Sequence, residues 1–401
     1  MSPLPDYTQL SLSEQIAQMI VVRASGHLFD QQIRFPQWEP TQDQLQDWLQ
    51  NWKIGGVILL GGSAAEISQR TDQLNSWTEI PLLIAADIEE GVGQRFAGAT
   101  WFPPPMALGE IAKTDLNQGK AYARTIGAIT AKEALALGIN WLFAPVVDVN
   151  INPNNPVINV RSFGETPEIV SELSAAFIEG TQDYSVLTTA KHFPGHGDTA
   201  IDSHLSLPVL EMGVERLQEV EIPPFQRAIA QGVDAVMSAH LLVSCWDDAL
   251  PATLSSTVLT QQLRLNLDFQ GLIVTDALIM GALDEVASPE SLPVGAIEAG
   301  ADIILMPHDP KRAIEAILEA VNQGRISPQR IAASVARIWE AKQKVINAEK
   351  GDFLTDLASP MAQKTTREVL RASLRVKKAR SLSIPETPCR NLVIVDDLLD
   401  C

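Results

Sequence analysis

The chain has 401 residues, and 49 acidic against 30 basic side chains give it a formal charge of −19. With 46% hydrophobic and 20% charged residues, its composition is that of a globular protein and not of a disordered, collagen-like or coiled-coil chain. The negative charge argues against nucleic acid as a partner, because Lys and Arg must neutralise the phosphates, and also against binding to an anionic membrane surface.

The sequence carries no signal for membrane insertion or export. No apolar run approaches the ~18 residues that a spanning helix needs. The first 22 residues contain no Lys or Arg and therefore lack the basic start of a signal peptide. The three cysteines, Cys245, Cys389 and Cys401, are an odd and scattered set, as expected in a reducing compartment. We therefore predict a cytoplasmic protein.

Short apolar runs rich in Val, Ile and Leu alternate with helical patterns along the chain. The runs are continuous and do not alternate with polar residues, which is typical of strands covered on both faces. Eight such runs predict an α/β fold, a (β/α)₈ barrel over residues 1–350 that is irregular in its first strands. The predicted strands are Met19–Val22, Gly56–Leu60, Leu82–Ala86, Trp141–Pro145, Val186–Ala190, Ala235–Ala239, Leu272–Thr275 and Ile303–Met306. The clearest predicted helices are Gln118–Leu137, Ile169–Gly180, Arg216–Gln231 and Arg312–Gln323.

The pattern changes after the barrel. A last barrel helix is predicted over Ala332–Ala348 and a further helix over Thr355–Leu374, so that residues 351–390 form a helix and a linker. Residues 391–401 begin a new strand, Asn391–Val395. Because such a strand is not stable without neighbours, we expect it to start a second α/β domain that is truncated here.

Ionisable residues follow six of the eight predicted strands. Parallel strands of a barrel all end at one rim, where catalytic side chains lie in enzymes of this architecture. The concentration of such groups at one rim predicts an enzyme, although any one carboxylate there could instead cap a helix. The residues are Asp87, Asp148, Lys191 with His192, His240, Asp276 and His308.

The densest motif is the stretch from Lys191 to Asp198, followed by Asp202-Ser203-His204. Residues two apart in an extended loop face the same side, so the Asp202 carboxylate can orient the His204 imidazole for proton exchange. His192 and His196 also have the spacing of a metal site. However, Pro194 and Gly195 interrupt any helix between them, which makes a metal site the weaker interpretation.

Asp276, at the end of the seventh strand, is a candidate nucleophile because a carboxylate of ordinary pKa is ionised at neutral pH. Its alternative role is a cap for the segment around Met280. Four further side chains are of the types that hold sugar hydroxyls, or else they form a structural ion-pair network near the rim. These are Asp87, Arg161, Lys191 and His192.

These motifs together resemble bacterial β-N-acetylglucosaminidases of glycoside hydrolase family 3. The stretch Lys191–Gly197 with Asp202-Ser203-His204 resembles the family signature, and Thr275–Leu278 resembles its nucleophile segment. The segments around Asp148, Asn159–Gly164 and Ala299–Asp302 are also similar, so the resemblance covers about residues 10–345.

The resemblance implies a retaining exo-glycosidase without metal or diffusible cofactor that removes terminal GlcNAc, expected from peptidoglycan fragments. Asp276 would be the nucleophile, and His204 with Asp202 the acid/base. Sugar-binding roles are implied for Asp87, Arg95, Arg161, Lys191 and His192. The alternatives are a β-glucosidase or a phosphorylase of the same family. From other classes come a metal-dependent hydrolase using His192, His196 and Asp276, and a non-catalytic carbohydrate-binding barrel.

One segment departs from the family pattern, and one acidic pair suggests another mechanism. The family usually has Asp-Gln-Glu-Gly-Gly-Arg-Val-x-Arg after the third strand, whereas residues 87–95 read Asp-Ile-Glu-Glu-Gly-Val-Gly-Gln-Arg. Glu90 would be strained if its position required a positive φ. Asp247-Asp248 could steer a substrate's own acetamido group as the nucleophile, but its position beyond the sixth strand favours a solvated turn.

Overall fold

The computed structural model describes residues 4–203, 206–284 and 286–374. Within these residues eight parallel strands form one sheet, and each predicted apolar run contributes one of them. The strands are β1 (Ile20–Ala24), β2 (Gly56–Leu59), β3 (Leu83–Ala86), β4 (Trp141–Leu142), β5 (Leu187–Phe193), β6 (Ala235–Ser238), β7 (Leu272–Thr275) and β8 (Ile304–Leu305). They are buried along their whole length, as the continuous apolar pattern predicts.

The sheet closes on itself. Each strand pairs with its neighbour in chain order, and β8 pairs with β1 through Ile304 and Leu305. A parallel bridge between Val274 and Ile303 joins β7 to the segment leading into β8. The predicted (β/α)₈ barrel is therefore confirmed. All strands point the same way, so the loops that follow them meet at one rim.

Helices surround the strands in the order expected for alternating strand and helix. Around β1 to β4 they are α1 (Leu12–Gln18), α2 (Gln42–Gln50), α3 (Ala64–Ser76), α4 (Met106–Ala112) and α5 (Leu116–Ala136). They continue as α6 (Pro167–Thr181), α7 (Val214–Val220), α8 (Ile222–Ala230), α9 (Ser291–Ala299), α10 (Pro310–Asn322), α11 (Pro328–Val345), α12 (Phe353–Asp356) and α13 (Pro360–Ser373). A π-helical segment, Thr257–Asn266, occupies the position between β6 and β7.

Two predicted helices were wrong in their continuity. The segment predicted as Arg216–Gln231 is α7 followed by α8, because Pro223 and Pro224 start a new helix where a continuing one would lose its hydrogen bonds. The helix predicted over Thr355–Leu374 is likewise divided, with Pro360 starting α13. None of the helices in residues 4–203, 206–284 and 286–374 combines the length and apolarity that crossing a membrane requires.

At the end of the barrel opposite the rim, Lys342 of α11 contacts the segments that lead into three strands. Lys342, which is 1% exposed, donates to Gln18 Oε1 at 2.7 Å, to the Gly55 carbonyl at 3.0 Å and to the Pro81 carbonyl at 2.7 Å. These acceptors precede β1, β2 and β3, so one side chain joins the starts of three strands. The predicted linker beyond residue 374 and the predicted strand at 391–401 lie outside the described residues.

Candidate active site

A buried ion-pair network lies where β3 and β5 end at the rim. Lys191, near the end of β5, places its Nζ 2.7 Å from Asp87 Oδ1 and 2.6 Å from Glu89 Oε1. The Lys191 side chain is 2% exposed, whereas Asp87 keeps 24% of its side chain accessible. Although burial lowers the pKa of Lys191, its two carboxylate neighbours raise it above the ordinary value, so the ammonium stays charged.

Arg161 completes this network from the loop after β4. Its Nε donates to Glu89 Oε2 at 2.8 Å and its Nη2 to Glu89 Oε1 at 2.8 Å, a bidentate pair. Burial raises the pKa of Glu89, but Arg161 and Lys191 outweigh burial and hold it well below its usual range. Arg95 lies beside the network and donates its Nε to the Asp87 carbonyl at 3.1 Å. Four of the predicted sugar-binding residues therefore lie close together. Three of them, Asp87, Arg161 and Lys191, belong to an ion-pair network, which was the alternative interpretation of these residues.

His192 is oriented by Asp148. The His192 Nδ1 lies 2.8 Å from Asp148 Oδ2, and the main-chain N–H of His192 donates to Asp148 Oδ1 at 3.2 Å. Burial raises the pKa of Asp148, but His192 and the main-chain N–H of His196 more than offset it, so the pKa lies below its usual value. A carboxylate that accepts from Nδ1 leaves Nε2 as the nitrogen available to a ligand.

Asp276 follows β7 directly. Burial raises its pKa, but His192, His240, Lys191 and the N–H of Ala277 bring it below the ordinary value, so the carboxylate is ionised at neutral pH. Its Oδ1 accepts from the Ala277 N–H at 2.8 Å. The segment that follows is a single 3₁₀ turn, Gly281–Leu283, whose preceding residue makes no side-chain cap, so the helix-cap alternative for Asp276 does not apply.

The loop after β5 carries the remaining predicted catalytic residues. Asp202 lies in this loop next to Ser203, which is buried and accepts at its carbonyl from the Ala282 N–H at 3.3 Å. His204 lies outside the described residues.

Of the three donors predicted for the metal alternative, His196 is engaged by protein groups at both ring nitrogens. His196 has Nδ1 2.8 Å from Thr199 Oγ1 and Nε2 3.1 Å from Ser203 Oγ. In the part of the chain that the structure describes, no three His, Cys, Asp or Glu side chains are grouped as metal ligands would be. The acidic pair is a turn, as predicted: Asp247 accepts from the N–H groups of Ala249 and Leu250, both at 3.0 Å, and from the Ser255 hydroxyl at 2.6 Å.

The departure from the family pattern is accommodated without strain at Glu90. The positive φ of this segment, 85°, belongs to Gly91, and Glu90 is not among the left-handed residues. A Cβ on Gly93 would lie 2.5 Å from the Ala99 carbonyl, so a glycine here allows the main chain of residues 99–101 to pack closely against residue 93. Trp101 then donates its Nε1–H to Glu90 Oε2 at 2.6 Å. The altered residues thus form a self-consistent turn beside the ion-pair network.

Two residues of the site were missed or undervalued in the sequence. Glu89 holds register with the family pattern, but nothing in its position predicts that it pairs with both Lys191 and Arg161. Asp148 was one of several strand-exit carboxylates, and its three contacts to the Lys191–Gly197 motif depend on the adjacency of β4 and β5. In a barrel whose strands lie in chain order, β4 and β5 are neighbours. The predicted strand order was therefore the signal from which these contacts of Asp148 could have been predicted.

A closed (β/α)₈ barrel with ionised carboxylates and cations buried at the carboxyl ends of its strands is typical of an enzyme active site. Comparison with known proteins specifies the family. The model for the glycosyl hydrolase family 3 N-terminal domain matches residues 11–341. The chain belongs to this family, which confirms the resemblance found in the sequence motifs.

The relatives that match include hexosaminidases of known sequence and structure. A β-hexosaminidase A of Pseudoalteromonas piscicida is 35% identical over 75% of this chain and 55% of its own length. A β-N-acetylglucosaminidase/β-glucosidase of Cellulomonas fimi is 32% identical over 83% of this chain and 61% of its own length. A solved family 3 β-N-acetylglucosaminidase from Paenibacillus sp. str. FPU-7 has a TM-score of 0.80 and 36% identity, covering 93% of this chain and 71% of that one. The chain thus spans less than two thirds of the first two relatives.

Proposed function

We propose that this chain carries the catalytic barrel of a retaining exo-β-N-acetylglucosaminidase that removes terminal, non-reducing GlcNAc. The observation that carries the proposal is the place of Asp276 directly after β7, at the same rim as the buried Lys191 ion pairs and the Asp148–His192 pair, because it puts a carboxylate nucleophile on the same rim as groups suited to hold a sugar. Membership of family 3 and the names of the relatives support the choice of a glycosidase and of an N-acetylated sugar.

In the proposed mechanism, Asp276 attacks the anomeric carbon while His204 donates a proton to the departing glycosidic oxygen. The C1–O bond to the aglycone breaks and a bond from C1 to the Asp276 carboxylate forms. Water, deprotonated by the same imidazole, then attacks C1 and releases the sugar and the Asp276 carboxylate. Asp202 holds the imidazole in the tautomer that this exchange requires.

The ion-pair network is suited to binding sugar hydroxyls. Asp87 and Arg161 retain 24% and 27% side-chain exposure although each is paired on one side, so polar atoms remain accessible to a ligand. The buried Lys191 and Glu89 between them fix their positions. His192, oriented by Asp148, presents Nε2. We propose that these residues and Arg95 hold the hydroxyl groups of the GlcNAc ring through charge-assisted hydrogen bonds.

Using an imidazole in the acid/base role differs from the usual pair of carboxylates in retaining glycosidases. A neutral imidazole does not repel an anion, so phosphate is a chemically reasonable acceptor in place of water. If sugar 1-phosphate forms when phosphate is supplied, the enzyme is a phosphorylase. If free GlcNAc remains the product and its yield does not change with added phosphate, the enzyme is a hydrolase.

A β-glucosidase is the second candidate, and the relative from Cellulomonas fimi carries both activities in its name. Paired assays on nitrophenyl β-GlcNAc and nitrophenyl β-glucoside distinguish the two, with a higher kcat/KM on the GlcNAc substrate expected. A metal-dependent hydrolase would lose its turnover after exhaustive chelation, whereas we expect no change. The proposed natural substrates are peptidoglycan fragments, and the proposed location is the cytoplasm.

The decisive experiment traps the covalent intermediate. A 5-fluoro-GlcNAc reagent slows the second step, and mass spectrometry of the peptides then locates the label. We expect the label on Asp276. A label on another carboxylate, or none under conditions where the enzyme turns over, would overturn the proposed nucleophile.

A further inference from the structure

His240 is a fully buried histidine at the rim to which the proposed mechanism gives no role. It lies two residues beyond the end of β6 and is 0% exposed. Its Nε2 lies 3.0 Å from the main-chain carbonyl oxygen of Ala277, the residue directly after Asp276. Because a carbonyl oxygen can only accept, Nε2 carries a hydrogen and donates it to Ala277. His240 therefore binds the main chain next to the proposed nucleophile.

The ring of His240 is itself held in place by the loop after β6. Its Nδ1 lies 2.7 Å from Thr253 Oγ1, and Thr253 is buried as completely as His240. The Thr253 hydroxyl is fixed in turn by the Ala239 carbonyl at 3.0 Å and by Ser238 Oγ at 3.0 Å. The donor that faces Ala277 thus has a defined position relative to β6.

The main chain is bound to the β6 side on both sides of the peptide group that joins Asp276 to Ala277. The N–H of Asp276 donates to the Ser238 carbonyl at 3.2 Å, which continues the ladder between β6 and β7. Beyond the peptide group, His240 holds the Ala277 carbonyl. Between these two contacts, the N–H of Ala277 donates to Asp276 Oδ1 at 2.8 Å. The orientation of this N–H therefore influences how the Asp276 carboxylate is turned.

Two further hydrogen bonds hold the segment after Asp276, but they do not connect it to β6. The N–H of Leu278 donates to the Leu305 carbonyl of β8 at 3.0 Å. The N–H of Met280 donates to the Ala277 carbonyl at 3.1 Å and so belongs to the turn itself. His240 supplies the side-chain link from the Ala277 carbonyl to β6.

We propose that His240 is a positioning residue for the nucleophile, acting through Ala277, whose N–H orients the Asp276 carboxylate toward C1 of the sugar. The inference rests on the proposed function, because it requires Asp276 to attack the sugar. A displacement of about 1 Å between reacting groups can reduce a rate by about 10²-fold. Loss of the contact between His240 and Ala277 should therefore slow the attack.

The test compares two amides at position 240 that reach different partners. The side-chain nitrogen of Gln lies as many bonds from Cβ as Nε2 of His, so His240→Gln can still donate to Ala277. Asn is shorter and reaches only the position of Nδ1, so His240→Asn keeps the contact to Thr253 and loses the one to Ala277. The readout is the rate at which a 5-fluoro-GlcNAc reagent labels Asp276, because this rate measures the attack on C1.

The two amides should differ in the labelling rate and not in sugar binding. We expect labelling of His240→Asn to be about 10- to 100-fold slower than that of the wild type, and His240→Gln to recover most of this loss. The inhibition constant of free GlcNAc should change by less than about twofold in both variants, because the ring is fully buried. A residue with only a structural role would give equal labelling rates in the two variants, which would overturn the inference.

Thr71→Val is the control for the loss of a buried hydrogen bond to a carbonyl. Thr71 lies on α3, and its Oγ1 donates to the Leu137 carbonyl at 2.7 Å, just before β4 begins and away from the rim. We expect Thr71→Val to leave the labelling rate within about twofold of the wild type. A loss as large as that of His240→Asn would show that any buried defect slows labelling, and it would overturn the inference.

A double variant separates positioning from a general loss of structure. Asp276→Ala leaves space in which azide can attack C1 directly, so no carboxylate remains to be positioned. Adding His240→Asn should then change the azide-rescued rate by less than about twofold. The same loss as in the single variant would overturn the inference. A wild-type protein that turns over without a label on Asp276 would instead overturn the proposed function.

Thermal unfolding shows whether His240→Asn folds. If it does not, Thr253→Val replaces it, because this variant removes the hydroxyl that holds the ring and keeps the ring itself. Labelling of Thr253→Val should be slower than that of the wild type by about threefold or more. A wild-type rate in the folded Thr253→Val protein would overturn the inference.

Discussion

Asp148 and His192 form a buried carboxylate–imidazole pair in which Asp148 Oδ2 lies 2.8 Å from His192 Nδ1. The same carboxylate accepts from the main-chain N–H groups of His192 and His196, so it fixes both the ring and the start of the loop. Asp148→Asn replaces one acceptor oxygen by a donor, which faces these N–H groups unfavourably. We expect kcat/KM on nitrophenyl β-GlcNAc to fall by at least about tenfold.

The matched control for that variant is Asp247→Asn. Asp247 lies in a turn and accepts from two main-chain N–H groups and the Ser255 hydroxyl. We expect a change of less than about twofold in kcat/KM, as for a residue away from the chemistry. A large loss with Asp247→Asn, together with a small one for Asp148→Asn, would favour the substrate-assisted mechanism over the proposed one.

Lys191→Met should both unfold the protein more easily and weaken substrate binding. The variant leaves Glu89 with one cation in place of two in a site where both partners are at most 3% exposed. Breaking a buried ion pair by removing one partner costs about 3–5 kcal/mol. Chemical denaturation measures this loss of stability, and we expect KM for the GlcNAc substrate to rise as Asp87 loses its fixed position.

Lys113→Met provides the comparison for Lys191→Met. Lys113 pairs with Glu110 at 2.5 Å and Glu165 at 3.1 Å, but its side chain is 38% exposed. Exposed pairs contribute about 0–1 kcal/mol, so the free energy of unfolding should hardly change. Similar losses in the two variants would contradict the importance assigned to the buried network.

Asp276→Ala should reduce kcat by about 10⁴-fold or more, because the variant removes the carboxylate that forms the proposed glycosyl intermediate. A small anion such as azide fits the space left by the side chain and can attack C1 directly. The expected product is the α-azide of GlcNAc, which has the opposite anomeric configuration to the substrate and is identified by NMR. A β-azide, or no rescue with normal folding, would be evidence against Asp276 as the nucleophile.

Lys342 should make stability depend on pH above neutrality. Burial lowers the pKa of Lys342 to about 7, whereas an unfolded Lys titrates near 10.4. Between these values the unfolded chain binds more protons than the folded one, so the free energy of unfolding rises with pH, by about 1.4 kcal/mol per unit at most. Denaturation of Lys342→Met at several pH values should show a smaller slope from pH 7 to 10, and an identical slope would contradict the assignment.

Much of the fold could be predicted from the sequence because barrel strands are covered on both faces. Runs such as Gly56–Leu59 and Leu272–Val274 have no polar residue at either face, and that continuous pattern is visible without any structure. Helix continuity was harder to predict. The break at Glu221 had a signal in Pro223 and Pro224, but the amphipathic pattern runs through them and conceals it.

The site was predictable only as far as strand ends determine it. Asp87, Lys191 and Asp276 follow or end strands, so a barrel brings them to one rim whatever the loops do. Glu89 and His196 depend on how loops fold back: Glu89 reaches Lys191 across 102 residues of sequence, and the His196–Ser203 bond closes over a Gly- and Asp-containing loop. Neither contact follows from periodicity or spacing.

The three oxygen atoms bound by Lys342 also define how short a working version of this barrel can be. The region matched by the family model ends at residue 341, one position before that lysine. A chain cut at this boundary would retain the eight barrel strands and the rim residues described above. However, it would lose the Lys342 ammonium, which donates to Gln18, Gly55 and Pro81 just before the first three strands. Expression of the isolated catalytic unit should therefore extend through the end of α11 at Val345.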